Sequence, residues 1–368
     1  MIIYCAFYFL PIFAIIYFLN NKIYEIFKNN EAKLKKKLAK IIATGSYLPE
    51  KILTNFDLEK IVETSNEWIT TRTGILERRI AAENEFTSCM GAKAAKKAID
   101  SSNINKEDID CIIVATLTPD YIFPSTACLI QKKLNLNKCA SFDMQAACSG
   151  YIYSLSIAKA LIENNTYKTI LIVASEKLSA ITNYKDRSTC VIFGDGAAAA
   201  IISKDFPGLE IKSISLGADG EHSNLLHMPA GGSVNPASTE TLANDMHFIH
   251  MAGNEVFKHA VRKMECSCKT CLENANLQEK DVNFLIPHQA NKRIIDALAK
   301  RFPHIPNEKV LQNGIKKYGN TSASSIGIAL DELLKETDLQ NNENILLTAF
   351  GAGFTWGSSL LTQNNQTI

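Results

Sequence analysis

Along the chain, short runs of β-branched and aliphatic residues alternate with stretches whose apolar positions recur every three or four residues. The runs predict strands over 110–116, 169–174, 282–287 and 344–349, and the helical spacing covers 149–163 and 256–274. Strands alternating with covering helices predict an α/β protein built on parallel sheet.

The same phrasing occurs twice. Asn103-Ile-Asn-Lys-Glu-Asp-Ile-Asp110 reads against Asn276-Leu-Gln-Glu-Lys-Asp-Val-Asn283, an offset of 276 − 103 = 173 residues, and each leads into an apolar strand. Thr169-Ile-Leu-Ile-Val-Ala matches Asn344-Ile-Leu-Leu-Thr-Ala at an offset of 344 − 169 = 175. The chain therefore reads as two copies of one unit. Between the matched strands lie Ala147-Cys-Ser-Gly-Tyr and Gly319-Asn-Thr-Ser-Ala, each before an apolar helix, so Cys148 and Asn320 are expected at corresponding helix starts.

The first 40 residues stand apart. An apolar stretch from Ile2 to Leu19, broken by Pro11, gives way to a Lys/Asn-rich tract, and residues 1–40 carry seven Lys against two Glu, a local balance of +5. This reads as a hydrophobic secretory signal followed by a basic transit-like segment, with the mature chain beginning near Ile41. A membrane tether through residues 2–19 is the alternative. The whole chain is +1, so residues 41–368 carry 1 − 5 = −4, a mildly acidic body that argues against nucleic acid as a partner. With 46% hydrophobic and 21% charged residues, the body is ordinary for a globular protein. Its scattered cysteines, several inside apolar runs, read as reduced thiols. Cys266-Ser-Cys268-Lys-Thr-Cys271 falls in a helical pattern with no second ligand pair after it, which argues against a metal site.

Three loops carry candidate chemistry. Cys148 follows Ser141-Phe-Asp-Met and precedes Ser149-Gly150, in the manner of a nucleophile elbow. A helix N-terminus there is expected to lower the thiol pKa. A buried structural cysteine is the competing reading. His288 ends a strand in Ile286-Pro-His-Gln-Ala-Asn-Lys-Arg293, where apolar alternation stops. Asn320 would add a second neutral donor. The loop Phe350-Gly-Ala-Gly-Phe-Thr-Trp-Gly357 follows a strand and frees backbone N–H groups for an oxyanion hole, with a plain tight turn as the alternative.

Taken together, these phrases resemble the β-ketoacyl-acyl-carrier-protein synthase III family from about residue 41 to 364. The matching segments are Thr64-Ser-Asn-Glu-Trp-Ile-Thr-Thr-Arg-Thr-Gly-Ile75, Ala146-Ala-Cys-Ser-Gly150, Ile192-Phe-Gly-Asp-Gly-Ala197, Gly253-Asn-Glu-Val-Phe257, Pro287-His-Gln-Ala-Asn291, Tyr318-Gly-Asn-Thr-Ser322 and the Gly351–Gly357 loop. The resemblance implies a thiolase fold, with two pseudo-repeated βαβαβαββ-type halves (41–210 and 211–368, after the 1–40 leader) in a five-layered αβαβα arrangement. It also implies a homodimer, a Cys148-His288-Asn320 triad and an oxyanion hole of the Cys148 and Ala352 N–H groups. Trp68 and Arg187 would hold the adenine of CoA, Arg72 a phosphate, and Asn254 and Asn291 the pantetheine. Arg293 would dock the acidic acyl-carrier protein, its alternative being a solvent-facing helix residue, and Phe123 would cross to limit the partner's acyl pocket. Where the family often has three successive glycines, this chain has Ala352 in the middle.

The implied activity is condensation of acetyl-CoA, or another short acyl-CoA, with malonyl-acyl-carrier protein, needing no cofactor. The resemblance further suggests delivery of the enzyme to a plastid of the apicoplast type through the leader. A related acyltransferase with another starter or acceptor, a cysteine hydrolase and a non-catalytic carrier-protein binder are the rival readings. The segment around Trp68 and Arg72 argues against the hydrolase.

Overall fold

A computed structural model describes residues 38–136 and 139–364. Almost all of the leader, including the 2–19 stretch, lies outside the described residues. The strands of the main sheet are β1 (Lys40–Tyr47), β2 (Cys111–Ala115), β3 (Ala140–Met144), β4 (Thr169–Glu176), β5 (Gly196–Ser203), β6 (Gly208–Ala218), β7 (Phe284–Pro287), β8 (Asn344–Gly351) and β9 (Thr355–Asn364). The helices that concern the site are α1 (Asn66–Thr73), α2 (Thr87–Asp100), α3 (Thr126–Leu134), α4 (Gly150–Glu163), α5 (Arg187–Cys190), α6 (Gly253–Asn274), α7 (Lys292–Ala299) and α8 (Ser324–Glu336).

The sheet runs β7-β8-β9-β6-β1-β5-β4-β2-β3. Split between β6 and β1, it becomes two arrays of one order, with β1, β5, β4 and β2 answered by β6, β9, β8 and β7. Even the edge strand β3 has a counterpart, a parallel bridge from Val310 to Leu285. The two arrays join through the short antiparallel register Lys40↔Glu210 and Ile41↔Leu209. The boundary expected at residues 210 and 211 falls inside β6, because the chain turns between Ser203 and Gly208. The expectation of parallel sheet needs the same kind of correction. Only β2–β3, β2–β4 and β7–β8 pair in parallel, while β5 and β9 return antiparallel.

Helices make the remaining layers. α2 packs on β1, β4 and β5, and α6 on β6, β8 and β9, each covering an outer face. α4 and α8 lie between the arrays and touch strands of both. The central core accordingly mixes Ile113, Leu155 and Ile172 of the first half with Ile286, Ile326 and Leu347 of the second. Full burial of such side chains contributes roughly 1.5–3 kcal/mol each, so this shared core ties the halves together.

Close approach of α8 depends on small residues. β5 presents Ala198 and Ala200 to the helix, and a Cβ on Gly327 would lie 2.6 Å from Ala198 Cβ and 2.7 Å from the Tyr151 ring. Gly327→Val should therefore lower the unfolding free energy by about 1–3 kcal/mol, read as a lower urea midpoint at unchanged slope. Gly220→Ala, where nothing lies within 4 Å, should leave the midpoint nearly in place.

Candidate active site

Cys148 reaches its position through a strained turn. After β3 the chain passes into a single 3-10 turn, Ala147–Ser149, and then into α4. Ala147 has φ +44°, a left-handed conformation uncommon for a residue with a side chain. The turn is packed from two sides. A Cβ on Gly150 would lie 2.9 Å from Ala115 Cβ and 3.3 Å from Ala323 Cβ, and one on Gly351 would come 2.6 Å from the Cys148 amide nitrogen. The loop after β8, with Ala352, is thus held against the Cys148 backbone.

The thiol departs from expectation. Cys148 is 8% exposed, and burial pushes its pKa up to about 12, with the nearby Glu176 acting in the same direction. The neighbouring Ser322 hydroxyl offsets this in part. Desolvation is the largest influence on the thiol and disfavours the thiolate.

His288 follows the last residue of β7, its N–H donating to Thr348 O at 2.8 Å. Its Nδ1 lies 2.7 Å from Ser325 Oγ, which also accepts the Gln289 N–H at 3.3 Å. No other acceptor for the Ser325 proton stands among the described residues, so we assign that proton to the bond with Nδ1 and the ring proton to Nε2. Burial pushes the imidazole down to about 3 and keeps it neutral. Asn320 is oriented by the next turn: its Oδ1 accepts the Ser322 N–H at 2.8 Å, and among the described residues Nδ2 is left as a free donor. Cys148, His288 and Asn320 line one cavity of about 810 Å³.

The repeat places these residues differently from the expected match. Ser322, at φ +51°, is the left-handed residue of the second half, as Ala147 is of the first. The offset 322 − 147 = 175 equals that of the strands, so Ala323 is the counterpart of Cys148. Asn320 comes from three residues earlier, where the chain bridges Phe193. The helix starts do face one another.

The cavity also takes in Trp68, Arg72, Asn254, Asn291 and Arg293. Arg72 Cζ lies 4.7 Å and Arg187 Cζ 4.9 Å from the Trp68 ring centroid. A base stacked between Trp68 and Arg187 would need roughly 7 Å, twice a van der Waals contact, so Arg187 must swing away before one can enter. Arg72, expected at a phosphate, lies on the same indole. Asn291 lines the wall, but its amide caps α7 at Arg293 N and donates to Arg72 O, at 2.8 and 3.1 Å. Asn254 stands exposed in the first turn of α6. Arg293 reaches a neighbouring groove shared with Lys258, Arg262, Lys300 and Arg301. Phe123 lies far from burial, at 84% exposed. Within α6, Cys268 and Cys271 are buried and Cys266 exposed, and no group of three metal-ligating side chains converges among the described residues.

Three polar residues behind the cavity were not singled out from the sequence: Ser322, Ser325 and Glu176. A signal existed for the serines in the polar run Thr321-Ser-Ala-Ser-Ser325 at a helix start. For Glu176 it was a lone carboxylate ending the apolar run of β4.

A buried cysteine opposed by neutral donors, between two matching arrays of strands with paired central helices, defines an acyltransferase of the thiolase fold. Residues 142–220 match the family model described as 3-oxoacyl-[acyl-carrier-protein] synthase III, and residues 272–363 match that of its C-terminal part. The Chlamydia trachomatis β-ketoacyl-[acyl-carrier-protein] synthase III is 57% identical over 326 residues, covering 88% of this chain and 99% of its own. The Caldanaerobacter subterraneus protein of the same description is 52% identical, over 89% of this chain and 98% of its own. Among solved structures, the Aquifex aeolicus 3-oxoacyl-[acyl-carrier-protein] synthase III superposes with a TM-score of 0.80 at 49% identity, covering 88% of this chain and 99% of that one. This chain belongs to the β-ketoacyl-[acyl-carrier-protein] synthase III family.

With its pKa near 3, His288 should show neutral-imidazole nitrogen shifts, protonated at Nε2, from about pH 8 down to about pH 5 in ¹⁵N-histidine spectra. Ser325→Ala should mix the tautomers and slow decarboxylation about tenfold, the effect of one hydrogen bond.

Proposed function

We propose that this chain initiates fatty-acid synthesis by condensing a short acyl-CoA, acetyl-CoA in the simplest case, with malonyl-acyl-carrier protein. The observation that carries the reading is the meeting of Cys148 with two neutral donors, His288 and Asn320, in one cavity whose wall includes Trp68. Cys148 sulfur bonds the acyl carbon as the bond to CoA sulfur breaks. The N–H groups of Cys148 and Ala352 hold the transient oxyanion. In the second half-reaction the thioester carbonyl of the malonyl group accepts hydrogen bonds from His288 Nε2 and Asn320 Nδ2. The carboxylate leaves as carbon dioxide, its electron pair forms the enolate, and the enolate carbon displaces Cys148 from the acyl group. Decarboxylation supplies the carbanion, so the chemistry calls for no metal or redox cofactor.

The outer residues support the same reading. Once Arg187 has moved, Trp68 offers a stacking face for the base of CoA, with Arg72 beside it for phosphate. Asn254 and Asn291 border the path to Cys148. Arg293 with its four cationic neighbours suits an acidic carrier protein. Tyr121, Ile122 and Phe123 stand 61, 87 and 84% exposed, an apolar loop suited to insertion into a second copy, where Phe123 would bound the acyl pocket. We assign the leader, apolar and then basic, to delivery into a plastid of the apicoplast type, with a tether through residues 2–19 as the other outcome of a localisation experiment.

Asn320→Asp places an anion opposite the developing enolate. It should cut decarboxylation of malonyl-carrier protein by about 100-fold, with a much smaller loss in acetyl transfer to Cys148. Equal losses would contradict the assigned roles. Arg293→Glu should raise KM for the carrier-protein substrate about tenfold, with a smaller change in KM for acetyl-CoA.

A further inference from the structure

Acylation of Cys148 requires a proton acceptor that the two neutral donors do not supply. The thiol is buried and protonated, His288 is a weak base whose Nε2 already carries a proton, and the Asn320 amide takes none. Behind Cys148, at the C-terminal end of β4, stands Glu176, fully buried and outside the set of residues lining the cavity.

Its two oxygens are unequally occupied. Oε2 accepts from Thr118 Oγ1 at 2.8 Å, Leu117 N at 3.1 Å and Thr116 Oγ1 at 3.2 Å. Oε1 accepts from Ser322 Oγ at 3.1 Å, its one donor among the described residues. The same Ser322 hydroxyl is the side chain that draws the Cys148 thiol back down against burial, which places it beside the sulfur. Sulfur, hydroxyl and carboxylate are therefore neighbours in that order, and Oε1, the oxygen on the Ser322 side, has room for a proton.

We propose that Glu176 is the terminal acceptor of the Cys148 proton, reached through the Ser322 hydroxyl. The inference rests on Cys148 being the acylated nucleophile. The thiol proton passes to Ser322 Oγ as the Ser322 proton passes to Glu176 Oε1, so one negative charge moves from carboxylate to sulfur. The thiolate then attacks the acyl-CoA carbonyl. When the carbon–sulfur bond to CoA breaks, the departing thiolate recovers the proton by the reverse route, leaving acyl-cysteine, CoA thiol and the original carboxylate.

The surroundings suit this role. Burial raises the Glu176 carboxyl to about 7, near the value that serves a general base best at neutral pH. No cation stands among the largest influences on it. Its hydrogen-bond partners are hydroxyls and an amide, and Cys148 is the titratable group it faces. Lys177, next in the chain, is spent on the carbonyls of Ala82, Glu83 and Glu85.

The test is single-turnover transfer of labelled acetyl from acetyl-CoA to the intact chain, followed across pH, with decarboxylation of malonyl-carrier protein measured separately. Acylation by the wild-type chain should be lost as pH falls through about 7, because the acceptor fills. Glu176→Gln should acylate about 100-fold more slowly and lose that midpoint, with a far smaller loss in decarboxylation. Ser322→Ala should do the same; it leaves the carboxylate and its three Oε2 donors in place, and carries the test alone if Glu176→Gln fails to fold. Acylation at the wild-type rate in a folded variant, a retained midpoint in Glu176→Gln, or equal loss of both half-reactions would overturn the relay. Absence of acetyl transfer in the wild-type chain would instead overturn the nucleophile assignment on which it rests.

Discussion

Exclusion of water from the Cys148 end of the cavity is the constraint on which the rest depends. Cys148, His288, Asn320 and Glu176 are all within 8% of complete burial. In that medium charge is expensive, so the thiol and carboxyl move up and the imidazole moves down. The same desolvation that makes His288 a neutral donor leaves Cys148 a reluctant thiolate. Each buried polar group must also be bonded, which explains why Ser322 and Ser325 stand directly behind the three cavity residues.

The scaffold achieves this exclusion by bringing two helix starts together. Gly150 and Gly351 leave no space for a side chain near Cys148, and Ala115 and Ala323 are the residues that meet Gly150. Left-handed turns at Ala147 and Ser322 aim the chain inward in each half. Duplication supplied two similar turns, but the halves have diverged in what they carry. The first contributes the sulfur, and the second contributes the donors and the hydroxyl that reaches Glu176. Fold alone does not define the chemistry.

Conditions change toward the mouth of the cavity. Trp68 is partly exposed and carries two guanidinium groups over its ring, an arrangement of modest strength that solvent can exchange. Rigid, dry chemistry at one end and adjustable cation–aromatic contacts at the other suit a site that must hold reacting atoms still while admitting a large charged substrate.

The strands near residues 110, 169, 284 and 344 and the helices beginning near residues 150 and 253 were legible in the sequence, because periodicity records which side chains face a core. Cys148, His288 and Asn320 were legible too, since each interrupts an apolar pattern where a strand or helix ends. Tertiary structure alone decided their electrostatic state. Helix position argued for a lowered thiol pKa, but burial, which no local pattern encodes, reversed it. It also decided register, because the left-handed residues, and not the spacing of Cys148 and Asn320, mark equivalent points in the two halves. Glu176 lies 322 − 176 = 146 residues before Ser322. Only packing of the two halves across the central helices brings that carboxylate and hydroxyl together beside the thiol.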